Sequence, residues 1–192
     1  MTQSSRLASR MSLVTEDSSA IAKDGNMTDI EAPMELTKNQ KVLAYVTQKH
    51  PRATITVLMK LCYLIDLISY KRHKKPLLEF TYRRYTYGPF DSKIYDEVKV
   101  LREHKLVSEG SEFTPSGNEF TYYIFNNDVD FDMSGIDSND TEVINEVLQT
   151  VNGYGAKTLT EICYKTKPML AFNATLGGTE HLNEKLDLSL VG

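Results

Sequence analysis

The sequence has few of the residues that build metal and redox sites. Its 192 residues include two cysteines and four histidines. Cys62 and Cys163 lie in apolar patterns and their spacing fits neither a metal site nor a redox motif, so we expect buried thiols in a reducing, cytoplasmic compartment. The histidines are scattered among polar residues, and no two have the spacing of metal ligands. The sequence therefore predicts that the protein holds no metal ion.

Motifs of catalysis and cofactor binding are also missing. The sequence has no glycine-rich phosphate loop, no nucleophile elbow and no zinc-protease signature. The acidic segment 128–132 begins like a calcium-binding loop. However, Met133 occupies the position that requires glycine, and Asn139 the position that requires a bidentate acid. We therefore expect neither enzymatic activity nor a cofactor.

Long apolar runs and an excess of positive charge are absent too. No run of about 18 apolar residues occurs, so no membrane-spanning helix is expected. The formal net charge is −4, which gives the chain as a whole no attraction to nucleic acid. What is present is an ordinary globular composition, with 41% hydrophobic and 25% charged residues.

Patterning divides the chain into three regions. Residues 1–34 are polar and rich in serine, which predicts a flexible N-terminal extension. Residues 35–172 contain helical and strand patterns and predict one folded domain. Residues 173–192 are weakly patterned and form a predicted C-terminal tail. We expect an α+β fold in which helices dominate and a small antiparallel β-sheet accompanies them.

Two helices open the predicted domain. Thr37 and Gln40 have the spacing of a capping box, in which the side chain of each residue binds the backbone amide of the other. The second helix, about residues 54–70, is apolar on nearly every side and is therefore expected to be buried.

One acidic residue, Asp66, occurs in this apolar second helix. Acids that are buried are usually partnered, because an unpaired charge is costly to remove from water. We expect a cation such as Arg83 or Arg84 to pair with Asp66. The alternative is that Asp66 belongs to a functional site.

The segment YRRYTYGPFD, residues 82–91, combines strand, turn and helix signals. Its first residues are aromatic or β-prone and predict a strand, which the Gly-Pro pair should end. Asp91 is a suitable N-cap for the helix that follows. Phe90 and Tyr95 have the spacing of a hydrophobic staple across that cap. A further strand is predicted at residues 120–125.

Residues 71–84 form a basic stretch on an acidic chain, with six lysines or arginines against one glutamate. A solvated helix end would account for this charge. A docking surface for an anionic partner would account for it equally, and that partner would be an acidic protein face or nucleic acid.

The order of helices and strands is also compatible with a winged helix-turn-helix, whose third helix would enter the major groove of DNA. The outward face of that helix carries three cations and three acids. These residues are Lys93, Lys99, Arg102, Asp96, Glu97 and Glu103. Because the acids would repel phosphate, binding of nucleic acid is not expected.

Several separated motifs resemble the Panacea domain, a family that includes SocA-like, phage-associated proteins. They are the helix motif K-L-x-Y-x-x-D at residues 60–66, the turn motif Y-G-P at residues 87–89, and a following helix with Tyr95 and Leu101. A short sheet follows them. The resemblance covers about residues 36–172 and leaves out the extension and the tail.

The resemblance implies an antitoxin of a bicistronic, type II toxin–antitoxin pair, of the kind found in prophages. Such a protein binds and neutralises a cognate toxin, commonly one that blocks translation. The toxins include small alarmone-synthetase-like enzymes that modify the acceptor end of tRNA. One SocA-like branch acts as a proteolytic adaptor instead, and a DNA-binding regulator is the rival function. The family has no accepted catalytic residues.

We expect the toxin to contact an exposed patch of basic and aromatic side chains. The predicted toxin-binding residues are Lys71, Arg72, Lys74, Lys75, Arg84 and Tyr87. The neighbouring residues Tyr85, Gly88, Pro89 and Phe90 are expected to build the fold. The sequence indicates neither the identity of the toxin nor the number of copies in the complex.

Overall fold

The computed structural model describes residues 35–173 and 175–191. Within them lie six α-helices, four β-strands and one 3-10 helix. In chain order these are α1 (Lys38–Lys49), α2 (Ile55–His73), β1 (Arg83–Tyr85), β2 (Gly88–Phe90), α3 (Lys93–Glu103), β3 (Val107–Phe113), β4 (Glu119–Phe125), α4 (Ser138–Thr150), α5 (Ala156–Tyr164), α6 (Lys167–Leu170) and the 3-10 helix Leu188–Val191. The α+β fold with dominant helices is confirmed. The predicted extension, residues 1–34, lies outside the described residues.

The two opening helices form as their sequence signals indicate. The amide of Gln40 donates to the hydroxyl of Thr37 over 3.2 Å, and the amide of Thr37 donates to the side-chain oxygen of Gln40 over 2.9 Å, so the capping box is present. Helix α2 begins after Thr54, whose hydroxyl accepts from the amide of Val57. It contacts α1, α4 and α5, and most of its residues are buried, as its apolar pattern predicts.

The strands form two separate antiparallel hairpins rather than one sheet. Tyr85 pairs with Gly88, which leaves Thr86 and Tyr87 as a two-residue turn. We predicted that the Gly-Pro pair would end the first strand. In the structure it instead begins the returning strand β2. In the other hairpin β3 and β4 pair from Val107↔Phe125 to Phe113↔Glu119.

Helix α3 is tied to the first hairpin by the residues just before it. It begins at Lys93, slightly later than predicted. Asp91 still caps its first turn, because one carboxylate oxygen accepts from the amide of Lys93 over 3.0 Å while the other accepts from the amide of Thr81 over 2.6 Å. The rings of Phe90 and Tyr95 lie 6.1 Å apart between centroids, so the predicted staple contact is present, although Phe90 is only half-buried.

The chain from Thr175 to Val191, here called the C-terminal segment, packs on the first hairpin despite its weak sequence pattern. Arg84 donates its amide to the carbonyl of Glu184 over 2.8 Å and accepts from the amide of Asn183 over 2.8 Å. The amide of Leu186 donates to the carbonyl of Tyr82 over 2.9 Å, and its side chain is buried in the core. The segment thus lies along the free edge of β1.

Candidate functional site

The predicted toxin-binding residues lie on two separate surfaces. The four predicted residues of the basic end of α2 are exposed, namely Lys71, Arg72, Lys74 and Lys75. Tyr87 lies elsewhere, in the hairpin turn, beside Thr56 and Met59 of the first turns of α2. A helix rises about 1.5 Å per residue, so Met59 and Lys71 are about 18 Å apart along the axis. The single patch that the sequence predicts is therefore divided.

Acids from α4 compensate part of the charge at the basic end of α2. The guanidinium group of Arg72 is paired with the carboxylates of Glu142 and Glu146. Lys75 lines a groove together with Asp137 and Asp140. Lys71 and Lys74 remain exposed at this end. The surface is therefore less positive than the local sequence suggests.

Arg84 is fully buried, and the expectation that it belongs to an exposed patch is wrong. Successive side chains of a strand point to opposite faces, so Arg84 points inward while Arg83 and Tyr85 point outward. The guanidinium group of Arg84 donates to the carbonyl of Gly178 over 2.9 Å and to that of Thr175 over 3.3 Å. Its Nε atom has no hydrogen-bond partner in the described part of the chain. Arg84 thus anchors the C-terminal segment.

The buried carboxyl group of Asp66 is held by uncharged donors, not by the predicted arginines. One oxygen accepts from the amides of Leu77 and Leu78 over 2.8 and 2.7 Å, and the other accepts from the hydroxyl of Tyr82 over 2.7 Å. Burial raises the pKa of Asp66 to about 7, and these hydrogen bonds offset part of that rise. Because all three donors belong to the chain between α2 and β1, Asp66 fixes the entry into the first hairpin.

Lys60 is a second buried ionisable residue of α2, six residues before Asp66. Its side chain is only 3% exposed, and its Nζ atom donates to the carbonyl of Pro89 over 2.8 Å. Burial lowers the pKa of the Lys60 ammonium group to about 8. Gly88, at φ 94°, is packed against this side chain, since a Cβ atom there would lie 3.4 Å from the Cε atom of Lys60. The helix motif and the Y-G-P turn are therefore in direct contact.

Three partly exposed tyrosines surround the first hairpin, and we call Tyr85, Tyr87 and Tyr95 the tyrosine surface. Their exposed fractions are 47%, 65% and 48%. The ring of Phe90 stacks on Tyr85 at 5.0 Å and lies 6.1 Å from Tyr95, so it supports two of the three. Sequence reasoning selected only Tyr87 for this role. The spacing of the staple already linked Tyr95 to Phe90, but its exposure depends on the tertiary fold.

Two of the three cations of α3 are paired with acids within the protein. Lys99 is paired with Glu103 at 3.9 Å, and Arg102 with Glu109 of β3 at 2.8 Å. Glu97 accepts a 2.8 Å hydrogen bond from the side chain of Gln40. A helix with two of its three cations already paired with acids on the same molecule is poorly suited to bind DNA phosphates.

The described residues give no indication of metal chemistry or of a membrane span. Residues 35–173 and 175–191 contain no group of three or more His, Cys, Asp or Glu placed to hold a metal ion. Among the helices of this part of the chain, none has the length and apolar character needed to cross a membrane. Both cysteines are free and buried, as their apolar surroundings predict.

Comparison with known families agrees with this geometry. The family described as "Antitoxin SocA-like, Panacea domain" matches residues 58–168, more than half of the chain. No curated protein and no solved structure matches the chain. The matched region begins within α2 and includes Lys60, Asp66 and the whole first hairpin, which are the parts that the structure joins by buried hydrogen bonds. The chain therefore belongs to the SocA-like antitoxin family that carries the Panacea domain.

Proposed function

We propose that this protein is the antitoxin of a type II toxin–antitoxin pair and that it neutralises its cognate toxin by binding it directly. Membership of an antitoxin family supports the general role. The observation that supports direct binding is the tyrosine surface, where three large side chains are half exposed on one side of the fold. Tyrosine is enriched among the residues that dominate binding energy at protein interfaces.

The tyrosine surface is held in place before any partner binds. The hydroxyl of Tyr164 donates to the carbonyl of Thr86 in the hairpin turn over 2.9 Å. Lys60 holds the returning strand through Pro89, and Phe90 supports Tyr85 from below. A preorganised aromatic surface loses little conformational entropy on binding, so more of its contact energy appears as affinity.

The toxin that we propose as partner blocks translation, as the family resemblance implies, and a small alarmone-synthetase-like enzyme that modifies tRNA is the preferred candidate. Neutralisation then needs no chemistry from the antitoxin, since covering the active site of the toxin is sufficient. We further propose that Lys71, Arg72, Lys74 and Lys75 contribute a second, electrostatic contact with acidic residues of the toxin.

The experiment is co-expression of the protein with the product of the adjacent reading frame, followed by titration calorimetry of the purified pair. We expect wild-type protein to restore growth. Tyr87→Ala should weaken binding about thirtyfold, the effect of losing roughly 2 kcal/mol at a hot spot. Tyr154→Ala is the matched control, because Tyr154 is 41% exposed and lies between α4 and α5, outside the first hairpin.

Two outcomes would contradict the proposal in different ways. Failure of the wild-type protein to bind the adjacent product, together with a specific shift of its own promoter DNA, would favour a DNA-binding regulator. Binding accompanied by protease-dependent loss of the toxin from cells would favour a proteolytic adaptor.

A further inference from the structure

A small pocket lies beneath the tyrosine surface. Its volume is about 140 Å³, and its walls include Ile55, Met59 and Phe90. Tyr85, Tyr87 and Tyr95 also line it, and their exposure places them at its mouth. Sites for small molecules usually measure about 300–1,000 Å³, so this pocket is too small for a typical ligand. Its size suits a single side chain of a partner protein.

The buried residue Lys60 is among those that line this pocket. An ammonium group has three N–H donors, and within the described residues Lys60 makes one hydrogen bond, to the carbonyl of Pro89. No carboxylate of the described chain forms an ion pair with it. A buried cation without an anionic partner is unfavourable, which is why burial lowers its pKa. Lys60 is therefore available to an anionic group that enters the pocket.

The neighbouring thiol of Cys163 does not supply that anion. Burial raises the pKa of Cys163 to about 12, so the thiol is neutral near pH 7. No aspartate or glutamate is among the described residues that line the pocket, so the charge of Lys60 has no acidic partner there.

We propose that the pocket between α2 and the first hairpin receives an aspartate or glutamate side chain of the toxin, whose carboxylate pairs with Lys60 while its carbon chain lies among the tyrosines. This inference rests on the proposed function and specifies how the tyrosine surface recognises its partner. Aromatic side chains around the mouth exclude water once the partner is bound, which strengthens the ion pair inside. The arrangement favours toxins that present an acid at the right point and disfavours those that present a cation.

The test is a double-mutant cycle between the protein and the product of the adjacent reading frame. Each exposed acid of that product is changed to its amide, Asp→Asn or Glu→Gln, and its affinity is measured against wild-type protein and against Lys60→Met. We expect Lys60→Met to lower affinity at least thirtyfold, and one acid of the toxin to lose the same factor with wild-type protein but almost none with Lys60→Met.

Changes on the toxin leave this protein intact, so the affinities of the toxin variants for wild-type protein remain informative even if Lys60→Met folds poorly. A second variant, Thr56→Phe, narrows the pocket from the first turn of α2 while Lys60 itself is retained, and it should weaken binding as well. If wild-type protein binds, Tyr87→Ala weakens binding, and no acid of the toxin couples to Lys60, the inference about the pocket fails while the proposed function stands. If wild-type protein does not bind the adjacent product, the proposed function fails first.

Discussion

The Nζ atom of Lys60 donates a 2.8 Å hydrogen bond to the carbonyl oxygen of Pro89, 29 residues later in the chain. Six residues after Lys60, the carboxyl group of Asp66 accepts from the hydroxyl of Tyr82. Helix α2 thus holds the first hairpin at its entry and at its returning strand. Lys60 and Asp66, the first and last residues of the K-L-x-Y-x-x-D motif, therefore have a structural role. Their hydrogen bonds position the hairpin that carries the tyrosine surface.

Gly88→Ala should destabilise the protein more than an equally strained substitution in open space. Gly88 has φ 94°, and a Cβ atom there would lie 3.4 Å from the Cε atom of Lys60, at the short limit of ordinary van der Waals contact. The backbone strain alone is worth about 1–2 kcal/mol, and we expect the close contact with Lys60 to add a smaller cost. The control is Gly153→Ala, which also has positive φ, at 74°, but would meet no atom within 4 Å. Urea unfolding of both variants measures the difference, and equal losses would show that contact with Lys60 is unimportant.

Local signals explain why part of the fold could be predicted from the sequence. The capping box of Thr37 and Gln40 and the burial of α2 depend on residues within one helix, and both are confirmed. The capping carboxylate of Asp91 is likewise encoded next to the helix that it caps.

The errors concern residues whose environment is set by distant parts of the chain. Alternation along β1 shows that Arg83 and Arg84 point to opposite faces, but not which face is covered. That depends on the C-terminal segment, about 90 residues further along, which has no periodic pattern of its own. The sequence also predicted correctly that Asp66 is buried and has hydrogen-bond partners. Those partners are two backbone amides and a tyrosine hydroxyl, which carry no charge, so charge complementarity could not identify them.

Asp66 should make the stability of the protein depend on pH in the neutral range. Its pKa in the folded state is raised to about 7 from an ordinary value of 3.8, so the folded state binds more protons than the unfolded state between these values. The free energy of unfolding should therefore be highest at acidic pH and fall as pH rises toward 7, by up to about 1.4 kcal/mol per pH unit. Asp66→Asn keeps the acceptor for the two amides but cannot titrate.

The measurement is urea unfolding of wild type and Asp66→Asn from pH 5 to pH 8. The curve of the variant should be flatter than that of wild type over this interval. Parallel curves would mean that Asp66 titrates outside this range and that its hydrogen bonds outweigh its burial.

Arg84→Met should destabilise the fold rather than act on binding alone. The substitution keeps an apolar stem in the core but removes the donors to the carbonyls of Thr175 and Gly178, with an expected loss of about 2–3 kcal/mol. Arg83→Met is the control, because Arg83 is exposed and its hydrogen bond to the carbonyl of Asn183 lies at the surface. Thermal melts that leave Arg84→Met unchanged would show that the guanidinium group is not needed for folding.

Charge reversal at the basic end of α2 should have only a modest effect on toxin affinity. Lys74→Glu and Lys75→Glu remove exposed cations, and exposed ion pairs contribute about 0.2–1 kcal/mol each. We expect the double variant to stay folded and to bind the adjacent gene product less than about thirtyfold more weakly at low salt, with the difference shrinking as salt is added. Lys157→Glu, an exposed lysine on α5, is the control. A loss larger than that of Tyr87→Ala would place the centre of the interface at the basic end of α2.

The C-terminal segment should contribute to stability although the family match ends before it, at residue 168. Leu186 is buried in the core, and its amide closes the backbone pairing with Tyr82. Leu186→Ala should lower the free energy of unfolding by about 2–4 kcal/mol, because it leaves a cavity beside the first hairpin. The control is Leu190→Ala, in the 3-10 helix, because Leu190 is 43% exposed and its loss should change stability by less than about 1 kcal/mol.

Hydrogen exchange adds a second measurement, since the amides of Arg84 and Leu186 should exchange faster in Leu186→Ala than in Leu190→Ala. Equal stability and equal exchange in the two variants would show that the segment rests on the domain without supporting it.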